Sequence, residues 1–149
     1  KSFAQRLDRV CQLNCLQAED NMKLMPGFVY LAPGDQHLEV KQRAGQLYIQ
    51  LASTEKVNRH RPSVSVMFDS MLQITNKKKI CVMLTGMGGD GAESMLRLFQ
   101  QNSYCIIQDE PSSVVWGMPG RCFELGAYDT VQKLGNIATV MLNKLNENN

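Results

Sequence analysis

Residues 79–99 read KICVMLTGMGGDGAESMLRLF, and the reading of this stretch decides the fold. An apolar run from Ile80 to Leu84 stops at Thr85. Gly86, Gly88, Gly89 and Gly91 follow within six positions, with Asp90 between the last two. Ala92, Met95, Leu96 and Phe99 then recur at helical spacing. A buried strand, a glycine-rich turn and a helix in that order make one half of a βαβ unit. Ligands of open α/β sheets gather at the carboxyl ends of the strands, so Asp90 is expected to lie close to whatever site the chain carries.

Working outward, Tyr104 to Ile107 reads as the next strand and completes a right-handed βαβ crossover. Asp109-Glu110-Pro111 ends it, and Ser112 to Trp116 reads as extended chain. Gly117-Met118-Pro119 leads into a short helix that stops at Gly126. Tyr128 to Gln132 is a short final strand. The last helix carries Leu134, Ile137, Ala138, Met141, Leu142 and Leu145 on one face, before a polar, frayed tail over 146–149.

Upstream, Phe3, Leu7, Val10 and Cys11 recur at helical spacing and Cys15 to Ala18 forms a short strand. Glu19 to Lys23 is a polar loop, and Phe28 to Ala32 is rich in β-favouring residues. His37 to Lys41 and Gln46 to Leu51 make a hairpin about Gln42–Gly45. Pro62 suits a first helical position, with Val64, Met67, Phe68, Met71 and Leu72 as the apolar face behind it. The fold class is therefore α/β, a mostly parallel sheet carrying an antiparallel hairpin.

Composition narrows the function classes. The 149 residues suit one domain with a sizeable core, with no internal repeat or linker. Sixteen basic against fourteen acidic side chains leave a net charge of +2, too balanced to imply nucleic acid or a membrane surface as partner. Lys77-Lys78-Lys79 reads as a solvated loop. No apolar run approaches the roughly 20 residues of a membrane span, and no signal-peptide pattern is visible. Five cysteines without a CxxC pair read as small buried hydrophobes in a reducing compartment, so the protein is expected to be cytoplasmic.

Three chemistries suit the glycine turn. Gly86, Gly88 and Gly91 satisfy G-x-G-x-x-G, with Asp109 eighteen residues beyond, as in a dinucleotide fingerprint. Against it, Asp90 would aim a carboxylate at the pyrophosphate that the helix terminus should hold. In the second reading Asp90 is a helix N-cap, forming a capping box with Glu93. In the third Asp90 is the acid of a nucleophilic triad, accepting Nδ1–H from a histidine, while the Met87 N–H turns toward a developing oxyanion. The chain has two histidines, His37 and His60, and nothing in the sequence places a nucleophile beside either. Ser63 is three residues from His60 but falls in the first turn of a helix. The residues alone leave Asp90 divided between cap and catalytic carboxylate.

The blocks VYLAPGDQHLEV, VNRHRPSVSVMF, VMLTGMGGDGAESM, QDEPSSVVWGMPG and ELGAYD occur in this order. Together they resemble the catalytic domain of the chemotaxis protein-glutamate methylesterases, over nearly the whole chain. The resemblance implies a three-layer α/β domain that hydrolyses glutamate γ-methyl esters on cytoplasmic parts of chemoreceptors, releasing methanol, and that deamidates certain receptor glutamines. It makes Asp90 the triad acid and assigns the Met87 N–H to the oxyanion hole. No cofactor and no metal are expected. In the family the nucleophilic serine and the triad histidine lie before the helix that opens this chain. Residues 1–149 are thus expected to be an N-terminally truncated methylesterase domain, inactive by itself, with the family's phosphorylated receiver domain absent. The alternative is a catalytically dead scaffold that binds receptors or other partners.

Overall fold

The computed structural model describes residues 2–147, which fall into two units, Lys1–Thr75 and Asn76–Asn149. Lys1, Asn148 and Asn149, the last two belonging to the tail expected to fray, lie outside the described residues.

In the first unit, helix α1 (Ser2–Val10) precedes strand β1 (Asn14–Gln17), which pairs in parallel with β2 (Phe28–Leu31). Strands β3 (His37–Arg43) and β4 (Gln46–Ala52) form the expected antiparallel hairpin. Strand β3 is longer than the sequence pattern suggested, because Gln42 and Arg43 stay in the ladder up to a two-residue turn, and β4 runs one residue further, to Ala52 opposite His37. That turn is Ala44 and Gly45, both left-handed at φ 49° and 78°, the twist that suits a tight hairpin.

The stretch read as a polar loop covers the free edge of β4. Asn21 N–H donates to Ile49 O, and Ile49 N–H donates to Met22 O. An open edge is thereby closed to further pairing. Helix α2 (Val64–Met71) closes β3 in the same way, its Ser70 Oγ accepting the Val40 N–H at 2.9 Å. Ala18, Leu38 and Ile49 are the buried centre, and Met22, Leu24 and Met67 pack on them. Helix α2 begins after Pro62, not at it. Its N-cap is Ser63, held in extended backbone at φ −109° and ψ 134°.

In the second unit, β5 (Ile80–Met83), α3 (Ala92–Gln100), β6 (Tyr104–Gln108), α4 (Gly117–Leu125), β7 (Thr130–Gln132) and α5 (Leu134–Leu145) follow in turn. The strands form a parallel sheet in the order β5-β6-β7. Ser112 to Trp116, expected as extended chain, makes no named strand, though Trp116 forms a parallel β-bridge with Gly86. Helix α4 stops at Gly126, whose φ of 71° is left-handed, as expected of a glycine stop. Met95, Leu98, Ile106 and Ile107 are fully buried.

Four of the five cysteines are buried and all five are free thiols. Burial pushes the Cys122 thiol up to about 12, so it packs as a neutral hydrophobe.

Three further expectations need correction. Lys78 is not simply solvated: its ammonium donates to Lys144 O and Glu147 O at the carboxyl end of α5, where the helix dipole favours a cation. The apolar face of α5 is only partly covered. Ile137 is buried, but Leu134, Leu142 and Leu145 are each more than half exposed. In α1 the buried residue is Ala4, and Phe3 and Val10 are exposed.

Candidate active site

The ladder between β5 and β6 ends at Met83↔Ile107, while β6 keeps pairing with β7 as far as Gln108↔Gln132. The two strands part at their carboxyl ends. Two residues past the last pair, the Thr85 N–H donates to the side-chain Oε1 of Gln108 at 2.8 Å. Residues 112–116 fill the opening. Gln108 Nε2 donates to Ser112 O at 2.8 Å, and Trp116 Nε1 donates to Gln108 O at 2.7 Å. Thr85 Oγ1 donates to Val115 O and accepts the Val115 N–H, at 2.7 and 2.9 Å. Gly86 N–H also donates to Val115 O, and Met118 N–H donates to Gly86 O.

The glycines are required by conformation and by space. Gly88 and Gly91 sit at φ 86° and 88°, a region that side chains disfavour. A Cβ on Gly117 would come within 2.8 Å of Gly86 O and of Gly88 N. The start of α4 therefore lies directly against the turn after β5.

Within this turn Asp90 is buried, 5% exposed, whereas Met87 is 77% exposed. The Met87 N–H donates to no acceptor among the described residues. The N-cap of α3 is Gly91, not Asp90, so the third helical residue is Ser94, not Glu93. The capping box expected for Asp90 and Glu93 is one residue out of register with the helix start. The left-handed glycine bends the chain into the helix one residue later than a cap at Asp90 would. Asp90 thus precedes the helix as a buried carboxylate, three residues after the exposed Met87.

Asp109, the acid that the dinucleotide fingerprint would require, is engaged locally. Its Oδ1 accepts the Ser112 N–H at 3.0 Å and the Ser112 hydroxyl at 2.6 Å. That carboxylate braces a loop and does not await a ribose.

The two histidines belong to the first unit. His37 is fully buried, accepts the Ser63 N–H on Nδ1 at 3.1 Å and sets Nε2 2.8 Å from Glu55 O. These partners fix the tautomer with the proton on Nε2 and occupy both nitrogens, which is a structural role. His60 is exposed, in a tight turn whose central residues Asn58 and Arg59 have φ of 52° and 68°. Ser63 is the N-cap of α2. Replacing His37 by leucine is expected to lower unfolding free energy by about 1–3 kcal/mol, since the buried Ser63 N–H loses its acceptor. A urea melt of His37→Leu that overlays the parent would contradict this anchoring.

Sequence pattern did not single out Gln108 or Gly117 as partners of the turn. The available signal was a polar residue closing the apolar run Tyr104-Cys105-Ile106-Ile107. Among the described residues no cluster of histidine, cysteine and carboxylate side chains is placed to hold a metal. No helix of the described residues is long and apolar enough to cross a membrane.

The family model described as CheB methylesterase matches residues 1–141. A protein-glutamate methylesterase/protein-glutamine glutaminase 1 of Hahella chejuensis is 47% identical over 138 residues, covering 93% of this chain and 38% of that protein. The corresponding enzyme of Salmonella typhimurium is 40% identical over 145 residues, covering 97% of this chain and 42% of that protein. The chain thus spans about two fifths of the length of these curated relatives. The crystal structure of the Thermotoga maritima CheB methylesterase catalytic domain superposes with a TM-score of 0.92 at 37% identity, over 96% of this chain and 76% of that one.

Proposed function

The chain belongs to the CheB methylesterase family, and from this we propose that the protein carrying it hydrolyses glutamate γ-methyl esters on chemoreceptors in chemotaxis. Deamidation of receptor glutamines is a second reaction of the same acyl-transfer type. Curated relatives are named for both activities. The observation that carries the proposal is the pairing, in one turn after β5, of the buried Asp90 carboxylate with the unclaimed Met87 N–H.

The proposed chemistry is as follows. A serine oxygen attacks the γ-ester carbonyl, and a histidine takes the serine proton and delivers it to the leaving methoxide, which departs as methanol. Water then attacks the acyl-serine, with the histidine as base again, and releases the glutamate carboxylate. Asp90 accepts the histidine Nδ1–H, holding the productive tautomer and stabilising the imidazolium. The Met87 N–H stabilises the oxyanion of both tetrahedral intermediates. As the family resemblance implies, the serine and histidine are supplied from outside these 149 residues; in keeping with this, both nitrogens of His37 are engaged and His60 lies in an exposed turn. The protein works in the cytoplasm, on the cytoplasmic parts of its receptors, and a receiver domain regulates it in the full-length molecule.

The experiment is methanol release from methylated chemoreceptor membranes. The full-length protein is expected to release methanol, and the 149-residue polypeptide to do so no faster than buffer. Turnover by the 149 residues alone would refute the placement of serine and histidine. Receptor binding by the full-length protein without methanol would favour a scaffold.

A further inference from the structure

The Asp90–Met87 turn has a left-handed glycine at each end of the segment 88–91. Its approach from β5 is bonded to residues on the other side of the gap between β5 and β6. We propose that Gln108 is a positioning residue for the esterase site: its side-chain amide sets the Thr85–Met87 backbone and with it the direction of the Met87 N–H. This rests on the reading of the turn as the oxyanion and triad-acid site.

Gln108 is a polar side chain buried to 1% exposure at the end of the central strand of the sheet. Such a group is tolerated when its donors and acceptors are all matched. Here the partners dictate the amide orientation. Thr85 N–H can only donate, so it faces Oε1, and Ser112 O can only accept, so it faces Nε2. One planar group therefore ties the exit of β5 to the loop after β6.

Through that loop the effect reaches the turn a second time. Ser112 leads to Val115, which holds Thr85 Oγ1 and Gly86 N–H, and then to Gly117, which leaves no room for the turn to shift toward α4. Thr85, Gly86 and the flank of Gly88 are thus all held, and Met87 lies between them. Aliphatic replacements of similar size cannot do this, and an ionised glutamate can accept from Thr85 but cannot donate to Ser112. An oxyanion donor acts only when it points at the developing charge, and misplacement near 1 Å costs about a hundredfold in rate.

The test uses the full-length protein on methylated chemoreceptor membranes, comparing the parent with Gln108→Glu from pH 6 to 9. At high pH the variant is expected to lose about a hundredfold in kcat with KM within twofold. As pH falls the introduced carboxyl becomes protonated and can donate to Ser112 O. The variant-to-parent ratio of kcat should therefore rise toward acid pH, measured where melting curves show both proteins fully folded, because relief of a buried charge would restore stability in the same direction. A ratio that is flat with pH, or a change confined to KM, would overturn the proposal.

Should Gln108→Glu not fold, Gly117→Ala reaches the same turn without placing a charge in the core. It is expected to lower kcat by a similar factor with a pH-independent ratio, and kcat within threefold of the parent would overturn the proposal. Asp90→Asn and Met87→Pro separate the two levels. If they retain activity, the reading of the turn as the active site fails. If they abolish it while Gln108→Glu and Gly117→Ala do not, only the positioning role fails.

Discussion

Asparagine at position 90 is expected to reduce kcat for methyl-ester hydrolysis by about ten-thousandfold while the protein stays folded. Both halves of that expectation follow from where Asp90 sits. It is buried in the turn between β5 and α3, one residue before the helix cap, so a change of one atom type alters no packing volume. Chemically the change is large. A carboxylate accepts the imidazole Nδ1–H and leaves Nε2 free to take a proton from serine. A carboxamide that presents its NH2 group favours the opposite tautomer and cannot stabilise the imidazolium. In Ser-His-Asp triads this substitution costs about 10⁴ in kcat. Initial rates of methanol release, paired with a melting curve, decide the matter. A loss below about tenfold would reduce Asp90 to a structural carboxylate.

Met87→Pro is expected to lower kcat by about a hundred- to a thousandfold with KM nearly unchanged, the usual effect of removing one oxyanion donor. Proline deletes the backbone N–H and puts its ring Cδ in the place of the hydrogen. The Met87 side chain is 77% exposed, so its loss removes little packing. The residue is not among those with positive φ, where proline would be excluded. Its N–H has no acceptor among the described residues, so no structural bond breaks. A uniform-binding role would raise KM and spare kcat, the opposite pattern.

The strand, turn and helix around Asp90 were legible in the sequence because the apolar pattern changes period there. A continuous run gives way to glycines, and then to apolar residues three and four apart. The hairpin was legible for the same reason, but its ends were not: Gln42 and Arg43 are polar, and backbone pairing holds them in the ladder regardless. The start of α2 was displaced by a non-local contact, since the Ser63 N–H is taken by the His37 ring and the backbone there stays extended.

The same holds at the candidate site. Asp90 and Met87 stand in a local pattern that sequence exposes. Gln108 acts through bonds to residues twenty-three positions before and four positions after it, and no periodicity encodes such links. The apolar face of α5 shows a further limit: spacing identifies the helix and its face, but not how much of that face is covered.

The account as a whole requires cleavage between the acyl carbon and the ester oxygen. Hydrolysis of methylated chemoreceptor by the full-length protein in ¹⁸O-labelled water, read by mass spectrometry of both products, tests this directly. The label is expected in the glutamate γ-carboxylate, with the methanol unlabelled. Label in the methanol, or receptor bound with no methanol formed, would contradict an acyl-transfer site built on Asp90 and the Met87 N–H.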